Sequence, residues 1–385
     1  MKRRIAFTLS FLPILFIIFI ITAILKTVVY AESEEMPETS SSYVLIECET
    51  GTVLNGKNEN EKLPVGTLVK LMTVLLTAEK IEDGTWTMDT VLTATDCVTG
   101  IKGAVIWLVS GETMTVRDLL KGVIIGNAND AVAVLAENVS GSQEAFVMDM
   151  NARAFDLGMK NTVFTNPQGY DDPAQFSTAY DISLICRKLY SYDFLNEFFN
   201  TWRDFLRGED TELVSENTLI RTYDGHIGWK ASHTEASGWC VAEGAERNGM
   251  ICITVVLGST EDERFQLCKK LLSKGFSSYK VTLPSFSTEF LKPVSVHGGV
   301  DRAVCITANN LIGLVVPKNN PELKTVMVLP NYINAPVSKG RKIGIVAFYQ
   351  GDTLLYETEI ITTDEVEEMT LQIAFKKMID KMLKI

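Results

Sequence analysis

A chain of 385 residues, 46% hydrophobic and 22% charged, carries enough apolar material for two or three folded domains. Its formal net charge of −12 argues against nucleic acid as a general partner. Seven scattered cysteines (Cys48, Cys97, Cys186, Cys240, Cys252, Cys268 and Cys305) show no C-x-x-C pair and no nearby histidine cluster, so neither a disulfide framework nor a metal site is indicated.

In chain order, Lys2, Arg3 and Arg4 precede an uncharged run from Ile5 to Leu25, and Val29-Tyr30-Ala31 offers small residues at a cleavage site. Residues 1–31 read as a secretory signal, with the mature chain starting near Glu32. The run is also long enough to span a bilayer, so an uncleaved anchor is the alternative. In both readings the rest of the chain is exported. Residues 32–42 are acidic and polar and read as a solvated linker. Residues 43–56 alternate through Val44, Ile46 and Cys48, turn at Thr50-Gly51 and resume at Val53, which predicts a β-hairpin.

Residues 64–80 are apolar nearly all round, through Leu68, Val69, Leu71, Met72, Val74, Leu75 and Leu76, and predict a helix buried in the body of a domain. Thr67 in its first turn and Lys70 one turn on share a face. A hydroxyl at the positive end of a helix, beside a poorly solvated lysine, suggests an activated nucleophile. The plainer reading is an N-cap threonine and a snorkelling lysine. Short strand-like pieces fill 89–115. A helix from Thr115 stops at Gly126, Asn127-Ala128-Asn129-Asp130 interrupts, and a second helix runs on from Ala131. A third, from about Ser142 to Leu157, ends at Gly158. A loop at 165–173 precedes another helix near Thr178. Strands at 227–231, 238–243 and 250–257 and a helix at 261–274 complete an α+β pattern whose sheet pairs its first and last strands.

From about 281, short apolar stretches separated by Gly and Pro turns predict a small β-sandwich. The end of the chain is helical again. Leu371, Phe375, Met378, Met382 and Ile385 form one stripe, and Lys376, Lys377, Lys381 and Lys384 cluster around it. Such a helix suits a membrane surface or docking on the β module; both need the same stripe.

The order of these pieces sharpens the reading of Thr67. Thr67-x-x-Lys70 opens a buried helix, Asn127-x-Asn129 sits between helices, and a strand carries Lys230-Ala231-Ser232-His233. This layout resembles the penicillin-recognising serine peptidases, with motifs S-x-x-K, S-x-N and K-T-G. It is most similar to the low-molecular-mass D-alanyl-D-alanine carboxypeptidases. Flanking residues add to the likeness: Lys70-Leu71-Met72-Thr73, Asn129-Asp130-Ala131, Leu157-Gly158-Met159, Ser177-Thr178-Ala179 and Gly238-Trp239-Cys240.

The resemblance implies a transpeptidase-like α+β domain over 43–280, a β-sandwich over 281–363 and an amphipathic helix over 364–385. It implies Thr67, Lys70 and Asn127 at the catalytic positions and Asn129, Lys230, Ala231, Ser232 and His233 at the substrate-binding positions, with no metal and no cofactor. It implies a peptidoglycan stem peptide as substrate, β-lactams as candidate ligands, and a location at the outer face of the cytoplasmic membrane or in the wall, with the terminal helix on the membrane surface.

Each motif is altered. Threonine replaces the nucleophilic serine. Asn127 replaces a proton-relaying hydroxyl, Ala231 removes a carboxylate-binding hydroxyl, and Ser232 adds a side chain where glycine lets substrate approach. The backbone N–H groups of Thr67 and His233 are expected to keep an oxyanion hole. Two functions follow: a carboxypeptidase of reduced activity acting in wall biogenesis, or an inactive relative that binds peptidoglycan or serves as a scaffold. The literal S-x-x-K at Ser277–Lys280 lacks partner motifs and reads as a decoy.

Overall fold

The central sheet is antiparallel, in the order β2-β1-β9-β8-β7. It joins β1 (Ser42–Glu47) and β2 (Val53–Lys57) near the start of the domain to β7 (His226–Thr234), β8 (Gly238–Arg247) and β9 (Met250–Ser259) near its end. The first strand therefore pairs with the last, β1 against β9, as the sequence pattern predicts. The computed structural model describes residues 40–284, 291–320 and 322–383. The expected signal or anchor, most of the expected linker, Lys384 and the last stripe residue Ile385 lie outside these residues. At the linker's end, Ser40 and Ser42 are buried rather than solvated, and Ser42 opens β1.

Every residue of β1 is buried because helices cover both faces of the sheet. On one face, Gly275 of α6 (Glu261–Ser278) lies against Leu45 and Cys252, where a Cβ would come within 3.2 Å and 3.0 Å of their side chains. On the other, α5 (Ala179–Tyr190) packs on β1 and β9. Behind it lie α1 (Lys70–Glu82), α2 (Val116–Ile124), α3 (Asn129–Ser140) and α4 (Gln143–Asp156). Three helices begin at the caps their sequences offer: Thr115, Ser142 and Thr178 each accept a hydrogen bond from the backbone N–H three residues on. Two small hairpins flank the helices, β3 (Val91–Thr93) with β4 (Thr113–Thr115) and β5 (Arg203–Leu206) with β6 (Thr211–Val214).

The described residues cluster as one compact unit. Helix α6 passes directly into β10 (Tyr279–Thr282), which pairs with β14 (Leu314–Pro317) of the β module. The module packs a three-stranded sheet, β12 (Ala303–Val304), β11 (Val294–His297) and β16 (Tyr332–Asn334) in that order, on a four-stranded one, β13 (Ile306–Ala308), β18 (Thr353–Thr362), β17 (Lys342–Gln350) and β15 (Lys324–Val328), around Val294, Val296, Ile306, Phe348 and Ile360. Val366 is buried in this core, so the terminal helix starts later than 364, as α7 (Leu371–Leu383). No helix among the described residues is long and apolar enough to cross a membrane.

Candidate active site

Gly66 adopts φ +52° and opens a 3-10 turn, Gly66–Val69, before α1 proper begins at Lys70. Thr67 thus lies in the turn ahead of the helix. It makes no capping bond, so the N-cap reading fails. Its Oγ1 is buried and has no hydrogen-bond partner among the described residues. An orphan hydroxyl of this kind is costly in an ordinary core.

Lys70 is fully buried and does not snorkel. Its Nζ donates to the carbonyl of Asn127 and to Asn127 Oδ1 at 2.7 Å. Burial, and then the positive charge of Lys230, hold this amine well below its ordinary pKa; Glu216 and Asp130 act the other way. A neutral amine has two hydrogens and one lone pair. Both hydrogens are spent on Asn127, which leaves the lone pair for a base role. Asn127 sits at φ +55°, a left-handed conformation that asparagine tolerates better than most residues.

Lys230 Nζ donates to the carbonyl of Val123 at 3.2 Å. Burial lowers its pKa to about 8, with Glu216 opposing the shift. Asn127, Lys230 and Ala231 share the lining of one cavity with Glu216 and Asn217, and its volume is only about 10 Å³, near the room one water needs.

Ser232 changes the expected chemistry most. Its side chain is fully buried, and its Oγ accepts the Thr67 N–H at 2.7 Å and lies 3.3 Å from the Val65 carbonyl, to which it donates. Gly66 packs against that hydroxyl so closely that a Cβ on Gly66 would come within 2.8 Å of it. The expected oxyanion hole is therefore not open: one of its two donors is already hydrogen-bonded. The other expected donor residue, His233, lies on the outer strand of the sheet, with its ring exposed and stacked on Trp239 at 3.9 Å. Arg264 Nη1 holds β7 in place from below through the carbonyls of Ser232 and Cys240.

Asn129 is turned to the wall of the site. Its Nδ2 donates to the Lys102 carbonyl at 2.6 Å, its N–H donates to the Ala104 carbonyl, and its Oδ1 is buried without a partner among the described residues. The same wall hangs on Asp130, whose carboxylate accepts from the N–H groups of Ile106 and Leu108. Between these two, Trp107 takes φ +56° and points its indole outward, 72% exposed. The loop at 165–173 is tied to the same wall, where Tyr170 Oη donates to the Lys102 carbonyl at 3.0 Å. A Cβ on Gly169 would meet the Gly66 carbonyl at 2.4 Å, so only glycine lets that loop lie so near Thr67.

A family model for D-alanyl-D-alanine carboxypeptidases matches residues 29–261. The chain belongs to the D-alanyl-D-alanine carboxypeptidase family. A second model, the C-terminal domain of penicillin-binding protein 5, matches residues 279–368. The D-alanyl-D-alanine carboxypeptidase DacF of Bacillus subtilis is 33% identical over 344 residues, 87% of this chain and 88% of the relative. DacC of Escherichia coli is 30% identical over 348 residues, 88% and 87% of the two chains. Among solved structures, penicillin binding protein 5 from Haemophilus influenzae superposes with a TM-score of 0.77 at 26% identity, covering 86% of this chain and 98% of that one.

Within this carboxypeptidase-family fold, the structure brings Thr67, Lys70, Asn127, Lys230, Ala231 and Ser232 together and leaves the His233 ring outside. Sequence reasoning passes over Glu216 and Asn217, Arg264 beneath β7, and Gly169 over Thr67. Asn166-Pro167-Gln168-Gly169 is visible as a turn, but nothing local says which surface that turn touches. His226, too, carries no signal in the sequence. Its ring is buried against Glu243, with Nε2 to Oε1 at 2.9 Å, and Asn217 donates to the other oxygen of Glu243 at 2.7 Å.

Proposed function

We propose that this carboxypeptidase relative binds peptidoglycan stem peptides along the free edge of β7 and does not hydrolyse them at a carboxypeptidase's rate. The observation that carries this reading is the hydrogen bond from the Thr67 N–H to Ser232 Oγ. An acyl oxyanion would have to displace a buried hydroxyl before it could use that donor. Loss of one oxyanion donor costs about 10²–10³ in rate. Loss of a general acid–base group, as at Asn127, costs about 10²–10⁴. The two penalties act on one unit and do not simply multiply. Among the described residues the outer edge of β7 pairs with no strand, and it suits an added peptide strand.

The test uses the full purified chain. D-Alanine release from a stem pentapeptide is expected to stay at the buffer rate, while calorimetry detects binding of the same peptide. Labelled penicillin, followed by intact mass, is expected to leave no adduct on Thr67. Penicillin-binding protein D2 of Listeria monocytogenes has been solved with cefotaxime and with ampicillin bound. Release of D-alanine at a typical enzyme rate, of order 1 per second or faster, would overturn the reading.

We further propose that the chain is exported and rests on the outer face of the cytoplasmic membrane through α7. Leu371, Phe375 and Met382 on this helix are 90%, 59% and 70% exposed, and no described residue of α7 is buried. A stripe of that kind beside Lys376, Lys377 and Lys381 suits an anionic interface. Removing residues 371–385, which spares the buried Val366, is expected to abolish flotation on phosphatidylglycerol vesicles. Equal flotation with and without the segment would dismiss it.

A further inference from the structure

We propose that the junction between α6 and the β module carries a second binding site, one for a phosphate group on an organic carrier. A cleft of about 350 Å³ opens there. It is lined by the β8–β9 turn (Arg247, Asn248 and Met250), by the last turns of α6 (Ser273, Phe276 and Ser277), and by Tyr279, Lys280, Val281 and Lys318. Cys240 opposes Ser232 across the sheet, and Arg247 lies seven residues further along β8, about 23 Å away, so this cleft is separate from the Thr67 site.

Among the described residues its lining holds three cations and no carboxylate, in a chain whose net charge is −12. None of the three forms an ion pair among the described residues. The fold builds this arrangement. The guanidinium of Arg247 lies between the rings of Tyr223 and Phe276, 4.8 Å and 5.0 Å from their centroids. Its Nη2 donates to the Asp224 carbonyl, and its Nη1 has no partner among the described residues. The β10–β14 ladder sets Lys280 opposite Val316 and brings Lys318 beside Ser278, whose carbonyl accepts the Lys318 N–H. Lys318 Nζ donates to the Phe276 carbonyl at 2.6 Å and so offsets the negative end of α6, which would otherwise repel an anion. That leaves Arg247, whose Nε is buried without a partner among the described residues, and the exposed Lys280 in the lining of the cleft.

A planar guanidinium with flanking ammonium groups matches the oxygens of a phosphate, which carries more charge than a carboxylate and accepts more hydrogen bonds. The volume exceeds what a phosphate alone needs and falls within the range of small-molecule sites. Phe276, Met250 and Val281 offer apolar contact to a carbon chain attached to it. Lys280 is the lysine of the literal S-x-x-K. Ser277 Oγ donates to the Lys274 carbonyl, so this pair lines a binding cleft and forms no nucleophile–base couple.

Inorganic phosphate and glycerol 3-phosphate, titrated into the full chain by calorimetry at low salt, test the proposal. Saturable binding is expected for both, tighter for glycerol 3-phosphate. It should weaken about tenfold in Arg247→Gln and several-fold in Lys280→Gln. It should be unchanged in Lys160→Gln, an exposed lysine elsewhere. Arg247 also packs between two rings, so Lys280→Gln keeps the test decisive should Arg247→Gln fail to fold. Competition by soluble poly(glycerol phosphate) would assign the phosphate to a polymer, and competition by phosphatidylglycerol vesicles to a lipid headgroup. No saturable binding at millimolar phosphate, or equal binding in all the variants, would overturn the site.

Discussion

Ser232→Gly is expected to turn a chain that penicillin does not label into one that it does, with the adduct on Thr67. In the native protein Ser232 Oγ occupies the Thr67 N–H at 2.7 Å. Removing the side chain restores a free donor where acyl transfer builds negative charge, a gain of about 10²–10³ in acylation rate. The base is already prepared, because burial and Lys230 hold Lys70 toward its neutral form. With the amine's pKa lowered by burial and Lys230, acylation should fall as acid protonates Lys70. Lys70→Ala in the same background should abolish the adduct. Peptide hydrolysis should gain less, because Asn127 still cannot pass a proton to the leaving amine. The expected signature is therefore a stable penicilloyl mass with little D-alanine release. The cost in stability is about 0.5–1 kcal/mol for glycine in a regular element, to which the orphaned Thr67 N–H adds about 1–3 kcal/mol. If Ser232→Gly folds and remains unlabelled, the threonine methyl or the alanine at 231 is the stronger block, and the Ser232 hydroxyl is not what silences the site.

Asp130→Ala should be the most destabilising single change around the site. Its carboxylate is the acceptor for the N–H groups of Ile106 and Leu108, both on buried residues. Truncation leaves these two donors, and the Ala131 N–H that also donates to Oδ1, without that partner, at about 1–3 kcal/mol each, so a loss of about 3–9 kcal/mol is expected in urea unfolding. Trp107, held at φ +56° only by its tethered neighbours, should then relax. A shift in its emission would report that directly. Asp130→Asn keeps one acceptor and should lose about half as much. A loss under about 1 kcal/mol for the alanine variant would show that water replaces the carboxylate.

Much of the fold is legible in the sequence because it rests on periodicity. Leu68, Leu71, Met72 and Leu75 announce a buried helix, and Val44 and Ile46 announce β1, whatever surrounds them. The pairing of Thr67 with Lys70 is legible for the same reason. The fate of the Thr67 N–H is not. Strand alternation places Ser232 on the face of β7 that carries Lys230. It cannot say that Gly66 brings its turn near enough for the hydroxyl to reach that donor. That depends on a positive φ, with Ser237 and Gly169 packed against Gly66 from two further segments. Asp130 stands in plain view within Asn129-Asp130-Ala131, but its partners lie more than 20 residues away and share no pattern with it.

The unbroken passage from α6 into β10 has a mechanical meaning. Ser278 ends the helix and Tyr279 begins the strand, with no slack residue between them. An 18-residue helix is a rod about 27 Å long. Arg264, in its first turn, grips the carbonyls of Ser232 and Cys240, and the far end is stitched to the β module by four residue pairs. One stiff helix therefore fixes the spacing between the first strand of the module and the strand that carries Ser232.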